Sequence, residues 1–162
     1  MDGGIERDYM DIDEKVGILY SIRKLDKEEQ VPLFDNTIAE IFEDPKPEYA
    51  IKLCSVFYDD VYFDEIMYGL IHAVEHLAEG DDYSYLISLG ICNMKEGRDW
   101  SKILLYGIMN VEDELKKYPQ ALGRLSDEQR CYIVGILKEI RAEDGKMFGD
   151  RINWILSEAN AE

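Results

Sequence analysis

"IMYGLI" at residues 66–71 and "LLYGIM" at residues 104–109 are nearly the same phrase written twice, 38 positions apart. Around the first copy, Ile66, Leu70, Ala73, Val74 and Leu77 recur every three or four residues, the interval that lines side chains along one face of an α-helix. The same shift lays Cys54 on Cys92, Tyr62 on Trp100, Tyr68 on Tyr106 and Gly69 on Gly107, and the apolar positions follow, Leu53 meeting Ile91 and Ile71 meeting Met109. A weaker third copy, Val134-Gly135-Ile136-Leu137, comes after a shorter spacing.

A period near 38 made of two helices is the mark of stacked helical hairpins, because one hairpin cannot bury its apolar face without neighbours. Nowhere does the chain show sustained two-residue alternation. The expected fold is therefore all-α, a short HEAT-like stack of antiparallel hairpins, with an irregular bundle as the competing reading. Helix punctuation falls at "EDPKPE" (43–48), "FYDD" (57–60), "EGDD" (79–82), "KEGRD" (95–99) and "EDG" (143–145), which leaves about eight or nine helices. A glycine inside a helix costs about 1 kcal/mol relative to alanine, so Gly69 and Gly107 are expected at close helix crossings.

With 162 residues, 46% of them hydrophobic, the chain suits one domain over residues 1–162, its first nine residues loose. No run of about 18 apolar residues is present, and the acidic start "MDGGIERDYMDIDEK" lacks the basic-then-apolar order of a signal peptide. A cytoplasmic protein is expected. Cys54, Cys92 and Cys131 are odd in number and sit among apolar neighbours, as reduced, buried thiols would.

His72, Glu75 and His76 fall on the H-x-x-E-H pattern of an inverted zinc-protease helix. A catalytic zinc takes three protein ligands and an open position, and these are the only two histidines of the chain. We expect no metal and no cofactor. Histidines hydrogen-bonded at the edge of the core, or a binding surface, account for the motif better. "EGDD" and "KEGRD" lack the spacing and lysine of a phosphate loop, the EF-hand pattern of acids around a central glycine is absent, and the paired aspartates do not make a glycosidase pair. The chain is expected not to be an enzyme.

The net charge of −17 is unevenly spread. From Leu53 through Met94, 42 consecutive residues contain eight acids and no lysine or arginine. Such a surface repels nucleic acid and anionic membranes and steers partners of opposite sign. Acids at turns also cap helices, which explains where Asp59, Asp60, Asp81 and Asp82 fall but not why bases are missing. Interleaved aromatic rings add what protein interfaces favour. The expected partner-binding residues are Asp59, Asp60, Tyr62, Asp64, Glu65, Tyr68, His72, Glu75, Asp81, Asp82 and Tyr83.

The segment "FYDDVYFDEIMYGLIHAVEHL" (57–77), followed by "RDWSKILLYGIMN" (98–110), resembles the acidic, all-helical immunity proteins of bacterial polymorphic-toxin and contact-dependent inhibition systems. Asp59, Asp60, Glu65, Gly69, His72 and Glu75 carry the resemblance. It implies a small cytoplasmic protein that binds one cognate toxin domain and blocks it. A basic nuclease, or another enzyme that holds an anionic substrate in a basic cleft, is a toxin that an acidic inhibitor suits. The alternative from a different class is a HEAT-like scaffold or adaptor that joins proteins without inhibiting any.

Overall fold

The computed structural model describes residues 11–162; the expectation of a loose segment over residues 1–9 lies outside them. The described residues are all-helical, with no strand among them. Among the described residues nine α-helices follow one another: α1 (Ile12–Ser21), α2 (Gln30–Ile41), α3 (Tyr49–Leu53), α4 (Asp64–Ala78), α5 (Tyr83–Ile91), α6 (Arg98–Met109), α7 (Glu112–Arg124), α8 (Asp127–Glu143) and α9 (Gly145–Glu158). A 3-10 turn, Cys54–Val56, extends α3.

Local chemistry sets many of these boundaries. Asp11 opens α1 by accepting from the Glu14 N–H at 2.8 Å, and Ser126 opens α8 in a reciprocal capping box with Gln129. Pro45 and Pro47, neither able to donate an N–H, lie between α2 and α3. After α4 the chain turns at Gly80, φ +135°, a conformation that side chains disfavour. All five expected breaks are present. The breaks at 22–29, 110–111 and 125–126 had no strong punctuation in the sequence.

Alternate helices touch in sequence: α1 meets α3, α3 meets α5, α5 meets α7 and α7 meets α9. The even-numbered helices pack on these, α2 on α1, α4 on α3 and α5, α6 on α5 and α7, and α8 on α9. A continuous core runs between them, with Leu19, Phe34, Leu70, Ile87, Leu104 and Ile136 each at most 1% exposed. Tyr118 is fully buried, and its hydroxyl shares a 2.8 Å hydrogen bond with Ser88, so its one polar atom is satisfied.

Tertiary hydrogen bonds keep nearly the period of the sequence. Lys52 to Asp13, Asn93 to the Ile51 carbonyl, Trp100 to the Tyr58 carbonyl, Lys102 to Glu143, Arg124 to Asp82 and Arg151 to Asn110 join residues 39 to 42 positions apart. Each ties elements well separated in the chain. Arg23 reaches across two periods: its guanidinium lies over the rings of Tyr20 and Tyr58 and pairs with Glu96.

The glycine expectation is corrected. A Cβ on Gly69 would meet nothing within 4 Å, and one on Gly107 would meet only the Glu75 carboxylate, Oε2 at 2.9 Å. The crowded positions are Gly90, where a Cβ would lie 2.5 Å from Cys54 Sγ, and Gly97, where it would lie 2.7 Å from Phe57 Cβ. The close crossing is thus between α3 and α5, in the odd-numbered row. The thiols are also corrected in part: Cys54 is buried, Cys92 half-buried and Cys131 exposed. No helix among the described residues is long and apolar enough to cross a membrane.

Candidate functional site

Helix α4 buries Met67, Leu70, Ile71, Val74, Leu77 and Ala78. That leaves Asp64, Glu65, Tyr68, His72, His76 and Glu79 along the opposite stripe, since residues three and four apart share a helix face. All six carry exposed side chains, and none is a lysine or arginine. Carboxylates open the helix, where its dipole favours negative charge.

Two exposed tyrosines accompany this face, one on the helix and one in the loop that leads into it. Tyr68 is 47% exposed yet held in place, its ring edge-on to Trp100 with centroids 4.9 Å apart. Tyr62, in the loop before α4, is 80% exposed and touches Phe63 edge-on. An aromatic ring fixed by its neighbours loses little freedom when a partner covers it.

Both histidines are exposed; His72 lies on the open stripe, while His76 packs its ring against Phe42, 5.6 Å between centroids, and lines a groove beside the helix. His72 Nδ1 is 3.7 Å from Glu75, and His76 Nδ1 is 3.0 Å from Glu79. Each imidazole thus faces a carboxylate one turn on. Among the described residues no three histidine, cysteine or acidic side chains gather in a metal-binding group.

Past the middle of α4 the stripe drops into a groove of about 510 Å³ between α4, the start of α5 and the α6–α7 corner. Its lining includes Glu75, His76, Glu79, Tyr83, Gly107, Asn110, Val111 and Glu114, again without a lysine or arginine. The Tyr83 hydroxyl donates to Glu75 Oε2 at 3.4 Å. Burial, and then the charge of Glu75, push its pKa up, so it remains a donor at any physiological pH. Three other hollows carry cations, Lys15 in one, Lys52 and Lys95 in another, Lys117 and Arg124 in a third, while a further one, beside Cys92 and Glu128, carries none.

The expected residues do not form one patch. Asp60, Tyr62, Asp64, Glu65, Tyr68 and His72 lie along the α4 approach and stripe, and Glu75 and Tyr83 line the groove. Asp59 serves the fold, since its carboxylate accepts from the Asp99 N–H at 3.0 Å and caps α6, whose own N-cap residue is Gly97. Burial, and then nearby Asp99, raise its pKa. The cap reading of Asp59 holds for a distant helix and not for the one that follows it. Asp82 makes no cap bond for α5 and pairs with Arg124 at 2.8 Å. Asp81 and Asp82 line the hollow that holds Lys117 and Arg124, so the long base-free stretch is balanced there by α7.

Sequence reading missed Glu79, Asn110, Val111 and Glu114 as site residues. The nearby Lys116 and Lys117 make the local charge look mixed. Only the fold separates Glu114, in the groove, from Lys117, in another hollow. The usable signal was Val111, an apolar residue at a polar turn, which is 51% exposed.

A family model described as Immunity protein 30 matches residues 21–118, more than half of the chain, a span that includes the α4 stripe and the groove. No curated protein and no solved structure matches the chain.

Proposed function

The chain belongs to the Immunity protein 30 family, and from that premise we propose that it neutralises a cognate bacterial toxin domain by laying the acidic face of α4 over the entrance to the toxin's active site. The family implies a toxin as protein partner. The observation that supports this face is the α4 stripe itself, with its carboxylates, the exposed Tyr68 and no lysine or arginine of the helix, and the exposed Tyr62 in the loop before it. A nuclease must hold its polyanionic substrate in a basic cleft, and an acidic cover occupies such a cleft without imitating any base. Long-range attraction speeds the encounter, while desolvated tyrosines set how slowly the complex separates.

On this reading the protein acts by binding and catalyses nothing. It works in the cytoplasm as one domain, a HEAT-like stack whose regular hairpins hold α4 rigid, and it belongs to a polymorphic-toxin or contact-dependent inhibition system. Asp60, Tyr62, Asp64, Glu65, Tyr68, His72 and Glu75 form the contact face. Asp59 positions the loop that carries Tyr62, and Asp81 and Asp82 lie outside the centre.

Co-expression with the toxin domain encoded beside this gene tests the reading. Cells should survive, and the two chains should elute as one complex. Survival no better than with an empty vector, together with no complex at low salt, would refute it and favour the scaffold alternative.

A further inference from the structure

Tyr68 and Tyr62 reach the α4 face by different routes, one on the helix and one from the loop before it, and both routes lead back to Trp100. This indole, on the first turn of α6, is only 6% exposed, too well covered to meet a partner itself. Its ring supports Tyr68 edge-on, with centroids 4.9 Å apart and the planes at 83°. Its Nε1–H donates to the Tyr58 carbonyl at 3.0 Å, inside the loop that leads to Tyr62. It also stacks on the buried Phe57, centroids 6.2 Å apart, where that loop leaves the core.

The loop is fastened beside the indole as well. The Asp59 N–H donates to the Glu96 carbonyl at 2.9 Å, and the Asp59 carboxylate accepts from the Asp99 N–H at 3.0 Å. Two consecutive residues, Tyr58 and Asp59, are thus tied to the start of α6 and the turn before it. Tyr62 stands three residues further on and is 80% exposed, so the direction in which it projects follows from where the loop is fastened.

We propose that Trp100 is a positioning residue for the toxin-binding face: it holds the Tyr68 ring and the Tyr62 loop in the arrangement that the toxin meets, without touching the toxin. The proposal rests on the neutralisation reading above and adds the residue that orders its two aromatic contacts. Ordering a loop at an interface costs binding free energy, and a face already ordered in the free protein avoids that cost. Loss of this order speeds dissociation and leaves the electrostatic encounter alone, because Asp64 and Glu65 keep their places on α4.

Trp100→Phe keeps a ring against Tyr68 and Phe57 and removes the N–H that holds Tyr58. In stopped flow with the toxin domain encoded beside this gene, the variant should dissociate at least about fivefold faster while associating within about twofold of wild type. In a Tyr62→Ala background the same change should alter dissociation by less than about twofold, because the ring through which the N–H acts is already gone. A chain that is merely destabilised would melt lower without this coupling to Tyr62. Hydrogen exchange of the free protein supplies a readout without toxin: the Asp59 and Asp99 amides, both bonded between loop and α6, should exchange at least about fivefold faster in Trp100→Phe, with α8 and α9 unchanged. Replacing the Trp100 indole by its benzothiophene isostere, which keeps both rings and lacks the N–H, should act the same way and decides if the phenylalanine variant folds poorly. Dissociation within about twofold of wild type, unchanged exchange at Asp59 and Asp99, or an effect that multiplies in full on Tyr62→Ala overturns the positioning role and leaves the α4 face standing. No wild-type complex at all takes down both readings.

Discussion

Gly90 and Gly69 look alike in the sequence and differ in consequence. A methyl group at Gly90 would press on the buried Cys54 side chain, 2.5 Å from its sulfur, at the α3–α5 crossing. Neither helix can shift without disturbing the core, so Gly90→Ala should cost about 1–3 kcal/mol. At Gly69 the same methyl group meets open space and removes backbone freedom from the unfolded chain, so Gly69→Ala should stabilise by about 0.5–1 kcal/mol. Denaturant titration of both variants checks the pair, and opposite signs are expected. Asp59 makes a third case. Its carboxylate caps α6 across the gap between hairpins, and Asp59→Ala should lose about 1 kcal/mol in thermal unfolding while loosening the loop that presents Tyr62.

At the scale of elements, α6 and α8 are joined by Arg98 and Lys102, which both pair with Glu139. The hydrogen bond from Arg98, followed by weaker attractions, holds the Glu139 pKa below its ordinary 4.5. Because the folded value is the lower one, the link contributes fully above pH 4.5 and is lost as acid protonates the folded carboxylate below that. Glu139 is 42% exposed, so solvent screening limits the contribution to a few tenths of a kcal/mol, up to about 1. Glu139→Gln should therefore melt slightly lower than wild type at pH 7, with the gap closing as the pH falls well below 4.5.

Helix existence was legible in the sequence because burial repeats with the helical period. Ile66, Leu70, Val74 and Leu77 are all inside or packed on the core, and Ala73 is buried beside them. Which face of α4 remains outside follows from the same spacing, and that made the exposed residues readable. The glycines were not. Gly69 and Gly107 recur in the repeat but lie outside any tight crossing, and Gly90, which does lie in one, sits in an ordinary "SLGIC" run. The fate of Asp82 was equally hidden, since Arg124 is 42 residues away and only the packing of α7 on α5 brings it near.

Over the whole molecule several hydrogen bonds join residues 39 to 42 positions apart, close to the 38-residue period of the sequence. The charge did not map so simply. A net charge of −17 read along the chain pointed to one acidic stretch from Leu53 through Met94, whereas in space part of it is balanced by α7 and another part continues into the groove beside Glu114. What stays unbalanced is the face of α4, and binding through it must respond to salt. The measurement that bears most directly on this is the association rate with the toxin domain encoded beside this gene, followed by stopped flow from low to high ionic strength. Wild type should associate fast and slow down as salt rises, and Asp64→Lys/Glu65→Lys should associate at least about tenfold more slowly at low salt, with a flatter salt response. A double variant that associates as fast as wild type, while the same reversal at Glu139 and Glu143 on α8 slows it, would contradict a role for the α4 face and move the toxin to another side of the molecule.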